Sequence, residues 1–177
     1  MRKELVGRVI STEGDSLPSL MQLLELGASA VSALSLSQLA QLPSTALWDK
    51  LPSLRRVEWQ PVQARTLVRT LLGGEQVVSG KELLGLGSLV RGVSSSVLLG
   101  VGPQGILGAD GLDALSQELS ALQRMALLKG LCRNVSMIEL VRSVSSPLLS
   151  SLPLSALERA GLRSLDQLEG RSWTKAQ

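Results

Sequence analysis

Apolar residues recur along this chain with the period of an α-helix, in short runs punctuated by proline, glycine or serine. Leu17, Leu20, Met21, Leu23 and Leu24 share one helical face, and Gly27 stands where a C-cap belongs. Leu36, Leu39 and Leu42 make a second, shorter stripe that Pro43 ends. Ser44 is placed to cap a third helix that turns Leu47, Trp48 and Leu51 inward and closes at Pro52. Pro61 suits the first turn of a fourth, whose Ala64, Leu67, Val68, Leu71 and Leu72 line one side before Gly73-Gly74 stops it. Asp110 is placed to cap a longer helix bearing Leu112, Leu115, Leu119, Leu122 and Ala126. No segment alternates convincingly with period two, so the pattern predicts an all-α chain of short helices.

Serine-led capping boxes reinforce this reading. Ser79 with Glu82, Ser136 with Glu139, Ser155 with Glu158, and Ser164 with Gln167 each have the spacing at which two side chains satisfy two orphan N–H groups at a helix start. The same fragments repeat. Val78-Ser79-Gly80-Lys81-Glu82-Leu83 matches Val135-Ser136-Met137-Ile138-Glu139-Leu140 about 57 residues on. Leu42-Pro43-Ser44-Thr45-Ala46-Leu47 matches Leu152-Pro153-Leu154-Ser155-Ala156-Leu157, with Val93-Ser94-Ser95-Ser96-Val97-Leu98 as a further copy between them. A multi-helix unit recurring at this period cannot close a core alone and must stack on its neighbours. The expectation is therefore a superhelical solenoid of armadillo or HEAT type over residues 17–170, after an extension at 1–16 and before a tail at 171–177. A compact, non-repeating helical bundle is the alternative.

Composition narrows the chemistry. The chain of 177 residues holds 39 leucines and 25 serines but no histidine, phenylalanine or tyrosine, which predicts an aliphatic core. Without histidine there is no Ser-His or Cys-His catalysis and no His-ligated zinc. One cysteine, Cys132, cannot form a disulfide within the chain or a thiolate metal cage. Three tryptophans, Trp48, Trp59 and Trp173, offer little base-stacking surface. The net charge of +3 is small, and Arg55-Arg56 is the tight basic pair, so nucleic acid is not the expected partner. No apolar run approaches the roughly 20 residues that span a bilayer. Neither end has the pattern of a targeting segment or a lipid-anchor tail. These features favour a binding module over an enzyme, with no catalytic residues, metal ligands or cofactor expected.

Several short motifs carry candidate chemistry. Gly100-Val101-Gly102-Pro103-Gln104-Gly105 fits G-x-G-x-x-G, which in a dinucleotide fold needs a strand before it and a helix after it. An interhelical turn fits the surrounding helical period better. Ala156 to Leu162, with Arg159 and Arg163, could form a helix-hairpin-helix holding a phosphate on backbone N–H groups. Asn134-Val135-Ser136 is a glycosylation sequon that overlaps a capping box. Cys132 lies on an apolar face and reads as a small buried hydrophobe. Arg55, Arg56 and Trp59 form a candidate partner contact.

The segment Asn134-Val135-Ser136-Met137, its aliphatic helix, and the leucine-rich run from Leu148 to Leu157 resemble a stretch near the C-terminal part of mesothelin. Leu17-Pro18-Ser19-Leu20, Leu34 to Leu47, and Trp59-Gln60-Pro61-Val62-Gln63-Ala64 are similar to stereocilin-type repeat elements. The chain thus resembles, over roughly residues 17 to 170, the mesothelin, stereocilin and otoancorin family of superhelical surface glycoproteins. That resemblance implies a non-enzymatic role in cell–cell or cell–matrix adhesion, a protein or glycoprotein partner, and a glycan on Asn134. The chain departs from an ectodomain pattern in lacking a secretion signal, an anchor tail and paired cysteines, so it is expected to be a piece of a longer protein. The alternatives are a cytoplasmic helical scaffold of the same architecture and a helix-hairpin-helix nucleic-acid binder.

Overall fold

The structure, a computed structural model, describes residues 17–74, 78–133, 135–144 and 146–159. The expected extension at 1–16, the tail at 171–177 and the Ser164–Gln167 box lie outside the described residues. Among the described residues every regular element is helical. In order these are α1 (Leu17–Glu25), α2 (Ala28–Val31), α3 (Leu36–Gln41), α4 (Ser44–Leu54), α5 (Pro61–Leu72) and α6 (Gly80–Gly85). A 3-10 helix, Gly87–Gly92, precedes α7 (Ser95–Gly100), α8 (Leu112–Glu118), α9 (Ala121–Leu131), α10 (Met137–Ser143), α11 (Ser146–Leu149) and α12 (Leu154–Arg159). The chain divides into two compact units. Ser88–Val93 belongs with the residues before Gln76, and Gln76–Gly87 belongs with Ser94 onward.

Helices this short are not stable alone, and their starts show what fixes them. Ser35, Ser79 and Ser120 complete full capping boxes with Gln38, Glu82 and Gln123. Ser94 and Ser136 accept the N–H groups of Val97 and Glu139, each at 3.3 Å. An apolar residue precedes the cap and a second follows four positions after it, the spacing of a hydrophobic staple. Leu34 with Leu39, Leu42 with Leu47, Val78 with Leu83, and Leu152 with Leu157 are all buried. Trp59 and Ala64 do the same around Gln60 at the start of α5. The fragments that match along the sequence are therefore copies of one helix-start cassette, and that local physics accounts for their similarity.

Several expected boundaries move. Pro52 does not close α4; it sits in the last turn, and the helix continues so that Leu54 reaches the core. Its missing N–H forfeits one bond near a terminus, a loss that burying a leucine, about 1.5–3 kcal/mol, offsets. Ser44 is the first residue of α4, the cap position being held by Pro43 without a side-chain bond. Ser155 likewise lies inside α12, which starts at Leu154. Asp110 does not cap α8: Gly111 does, at φ 98, a left-handed conformation that glycine adopts without steric cost. The longer helix expected from Leu112 breaks at the extended Leu119, and Ser120 restarts it as α9. Leu36, Trp48 and Leu122, expected inward, are exposed, Leu122 to 77%.

In the first unit α5 is the centre, with α3 and α4 packed on it and α1 against α2. Gln63 reaches from α5 to the carbonyl of Ser32 at 3.0 Å, and Lys50 pairs with Glu25 at 2.7 Å. The segment 88–93 closes on α5 at Gly92, where a Cβ would overlap the carbonyl of Ala64 and the amide of Arg65. In the second unit α7 packs on α9, and α11 packs on α8 and α9. Gly130 of α9 permits that approach, since a Cβ there would lie 2.8 Å from the carbonyl oxygen of Leu99 and 2.9 Å from that of Leu98.

Gly92→Ala is expected to destabilise the first unit by about 1–3 kcal/mol through overpacking. Gly85→Ala, with no atom near its Cβ position, should be neutral to about 1 kcal/mol stabilising. Urea midpoints of the two variants against the parent chain check the contrast. Ser79 donates to the Glu82 carboxylate from its hydroxyl at 2.7 Å and its amide at 2.9 Å, which holds that carboxyl below the usual glutamate range. A depressed folded-state pKa gives stability present above the unfolded value, about 4.3, and lost as pH falls through the folded one. Glu82→Gln keeps the box but should lack that acid-limb contribution, measured as a shallower fall in thermal midpoint from pH 5 to pH 3.

Candidate interaction surface

The Arg55–Trp59 segment begins where α4 runs out of hydrogen-bond donors. Arg55 is the C-cap, its N–H reaching Leu51 at 2.9 Å, and Val57 N–H reaches the Leu54 carbonyl at 3.2 Å. The indole N–H of Trp59 adds a 2.9 Å bond to the same Leu54 carbonyl. From outside the helix, Ser88 donates its amide to the Arg55 carbonyl at 3.0 Å. The Ser88 hydroxyl lies 2.9 Å from that oxygen and 2.6 Å from the Val57 carbonyl, its one proton shared between them. Orphan carbonyls at a helix end are thus satisfied and the turn is fixed.

This geometry corrects one part of the expected contact. Trp59 is 2% exposed, its ring filling the apolar core while its N–H closes α4, so it is not available to a partner. Arg55 and Arg56 do project to solvent. On the same unit Arg65 and Arg69 occupy the outer face of α5 one turn apart, and Arg91 is exposed beside Gly92. Sequence reasoning missed these three because they are isolated in the chain; the i, i+4 spacing of Arg65 and Arg69 on a helix was the available signal.

Exposed apolar side chains also mark both units. Trp48 is 38% exposed and donates its indole N–H to Leu71 in the last turn of α5 at 3.2 Å, and Val62 is exposed at the start of α5. In the second unit Leu122 and Met125 lie three positions apart on α9 and share an outward face.

The remaining motifs resolve by position. The G-x-G-x-x-G segment starts on the last residue of helix α7, where a dinucleotide loop would follow a strand, and it runs into turns with Gly105 at φ 74. Asn134 lies outside the described residues, and Ser136 of its sequon caps α10. Arg163 and Gly161 of the helix-hairpin-helix candidate are also outside them. Cys132 is half-buried at the C-cap of α9, and desolvation pushes its thiol pKa up. No group of three or more acidic or cysteine side chains among the described residues is placed to hold a metal ion, and no described helix is long and apolar enough to cross a membrane.

Comparison with protein-family models, curated proteins and solved structures finds no match to this chain.

Trp59→Ala should cost about 3–5 kcal/mol, whereas Trp48→Ala should cost far less because that ring is already partly in water. Chemical denaturation of each variant measures the difference. Cys132, held as the neutral thiol, should react with a disulfide reagent at pH 7 more slowly than a cysteine peptide does, and accelerate as pH is raised.

Proposed function

We propose that this chain is a non-enzymatic helical interaction module that serves attachment at the cell surface or in the extracellular matrix. Its short helices stack as an armadillo-like solenoid and meet a protein or glycoprotein partner over a broad face. The carrying observation is the order of packing. Within each unit helices lie on elements one to three places away in the chain, α3 and α4 on α5, α7 on α9, and α11 on α8 and α9, an order that stacked repeats also have. Outward-facing Trp48, Val62, Leu122 and Met125 supply apolar contact area on helices already packed by their other faces. The resemblance to the mesothelin, stereocilin and otoancorin family gives the reading its compartment and its glycan site.

The unpaired Cys132 favours a second reading, an intracellular scaffold of the same architecture. One experiment separates them. The chain, fused to a secretion signal and expressed in cultured animal cells, should leave the cell with a glycan whose mass is lost in Asn134→Gln. Surfaces coated with it should retain cells. A secreted chain without glycan and without cell retention removes the attachment reading.

A further inference from the structure

We propose that the first unit carries a binding face for a sulfated polysaccharide, formed by Arg55, Arg56, Arg65 and Arg69 with Arg91 alongside. The inference names a partner class for the attachment reading and rests on that reading for its compartment. These residues come from separate places in the chain, and the segment 88–93, which carries Arg91, touches the backbone beside Arg55 and beside Arg65. At one end Ser88 holds the Arg55 and Val57 carbonyls. At the other, Gly92 is seated on the backbone of Ala64 and Arg65. A 3-10 helix rises about 2 Å per residue, so these two anchor points are about 8 Å apart. Arg69 follows Arg65 by one turn, about 6 Å further along α5.

The described residues of this unit are net basic, Lys50, Arg55, Arg56, Arg65, Arg69 and Arg91 against three carboxylates, one of which, Glu58, lies in the Arg55–Trp59 segment itself. The described carboxylates of the unit are Glu25, Asp49 and Glu58, and Glu25 is held by Lys50 at 2.7 Å. No described carboxylate pairs with Arg55, Arg56, Arg65 or Arg69. In the second unit acidic and basic residues balance among the described residues. Several exposed guanidinium groups on one unit fit a polymer with repeated oxyanions, each taken by the planar fork through paired N–H bonds. Single-stranded nucleic acid would also call for stacking aromatics, but the Trp59 ring is in the core and the chain has no Phe or Tyr. A lipid surface would call for a wide apolar face, whereas the outer side of α5 around Arg65 and Arg69 offers only Val62.

The test uses the full chain on immobilised heparin, beside desulfated heparin, duplex DNA and phosphatidylcholine vesicles containing phosphatidylserine. The expected result is retention on heparin at physiological salt, weaker retention on the desulfated polymer, and elution as salt rises. R55A/R56A and R65A/R69A should each lower heparin affinity about tenfold and reduce the salt slope by about two, with helical circular dichroism unchanged. The fourfold Arg→Lys variant should keep the salt slope and lose affinity, since it keeps charge but not the fork. Lys129→Ala in the second unit should bind as the parent does. No retention on heparin, retention of both arginine-pair variants equal to the parent chain's, or tighter binding to DNA or vesicles overturns the proposal. Loss of heparin binding with cell retention intact removes this inference alone; the converse removes the attachment reading and leaves the polysaccharide face standing.

Discussion

The helices among the described residues depend on how they start. With helices of four to twelve residues, nucleation costs more than intrinsic propensity returns, so each start must be fixed by something beyond the helix itself. At five of the described starts the chain does this by placing a buried Leu or Val before a serine or proline and a buried Leu four positions after it, as at Val78-Ser79 and Leu83 or Leu42-Pro43 and Leu47. The polar part satisfies orphan amides and the apolar part ties the entering chain to the core. Leucine and serine dominate the composition because one cassette needs both.

A core without phenylalanine or tyrosine is assembled from many small contributions. Leucine and valine account for most buried positions, and Trp59 is the one large ring that is fully enclosed among the described residues. Close backbone approach fills the space that larger side chains would otherwise occupy. Gly92 on α5, Gly130 against the end of α7, and Gly80 against Gln104 and Ile106 are places where a single added carbon has nowhere to go. Both described tryptophans also give their N–H groups to carbonyls in the last turn of a helix, Trp59 to α4 and Trp48 to α5. The aromatic residues thus close two helices, α4 and α5, whose starts have proline and no serine cap.

The all-helical class was legible in the sequence because the 3.6-residue period and the capping boxes at Ser79 and Ser136 are local signals. Less legible were the choices that only tertiary burial makes. Pro52 looked like a stop until Leu54 needed burying, and Leu119 looked helical until Ser120 restarted the chain with Gln123. The matches between distant fragments were real as patterns, but a shared helix-start motif produces them without requiring a shared larger unit. For the surface, adjacency in sequence found Arg55 and Arg56 and overvalued Trp59. It did not reach Arg65 and Arg69, which only helical spacing pairs on α5, or Arg91, whose segment touches the backbone beside Arg55 and Arg65 through Ser88 and Gly92.

The path of the chain through residues 76–93 has a topological consequence. It leaves the first unit before Gln76, returns at Ser88 and departs again after Val93. No single cleavage can then separate the polypeptide into two self-sufficient halves. A break between Gln76 and Gly87 takes away the wedge that sits over Ala64, and a break after Val93 leaves the second unit without α6. Evolutionary shuffling or laboratory dissection of this protein must carry the interleaved stretch as shared property of both parts.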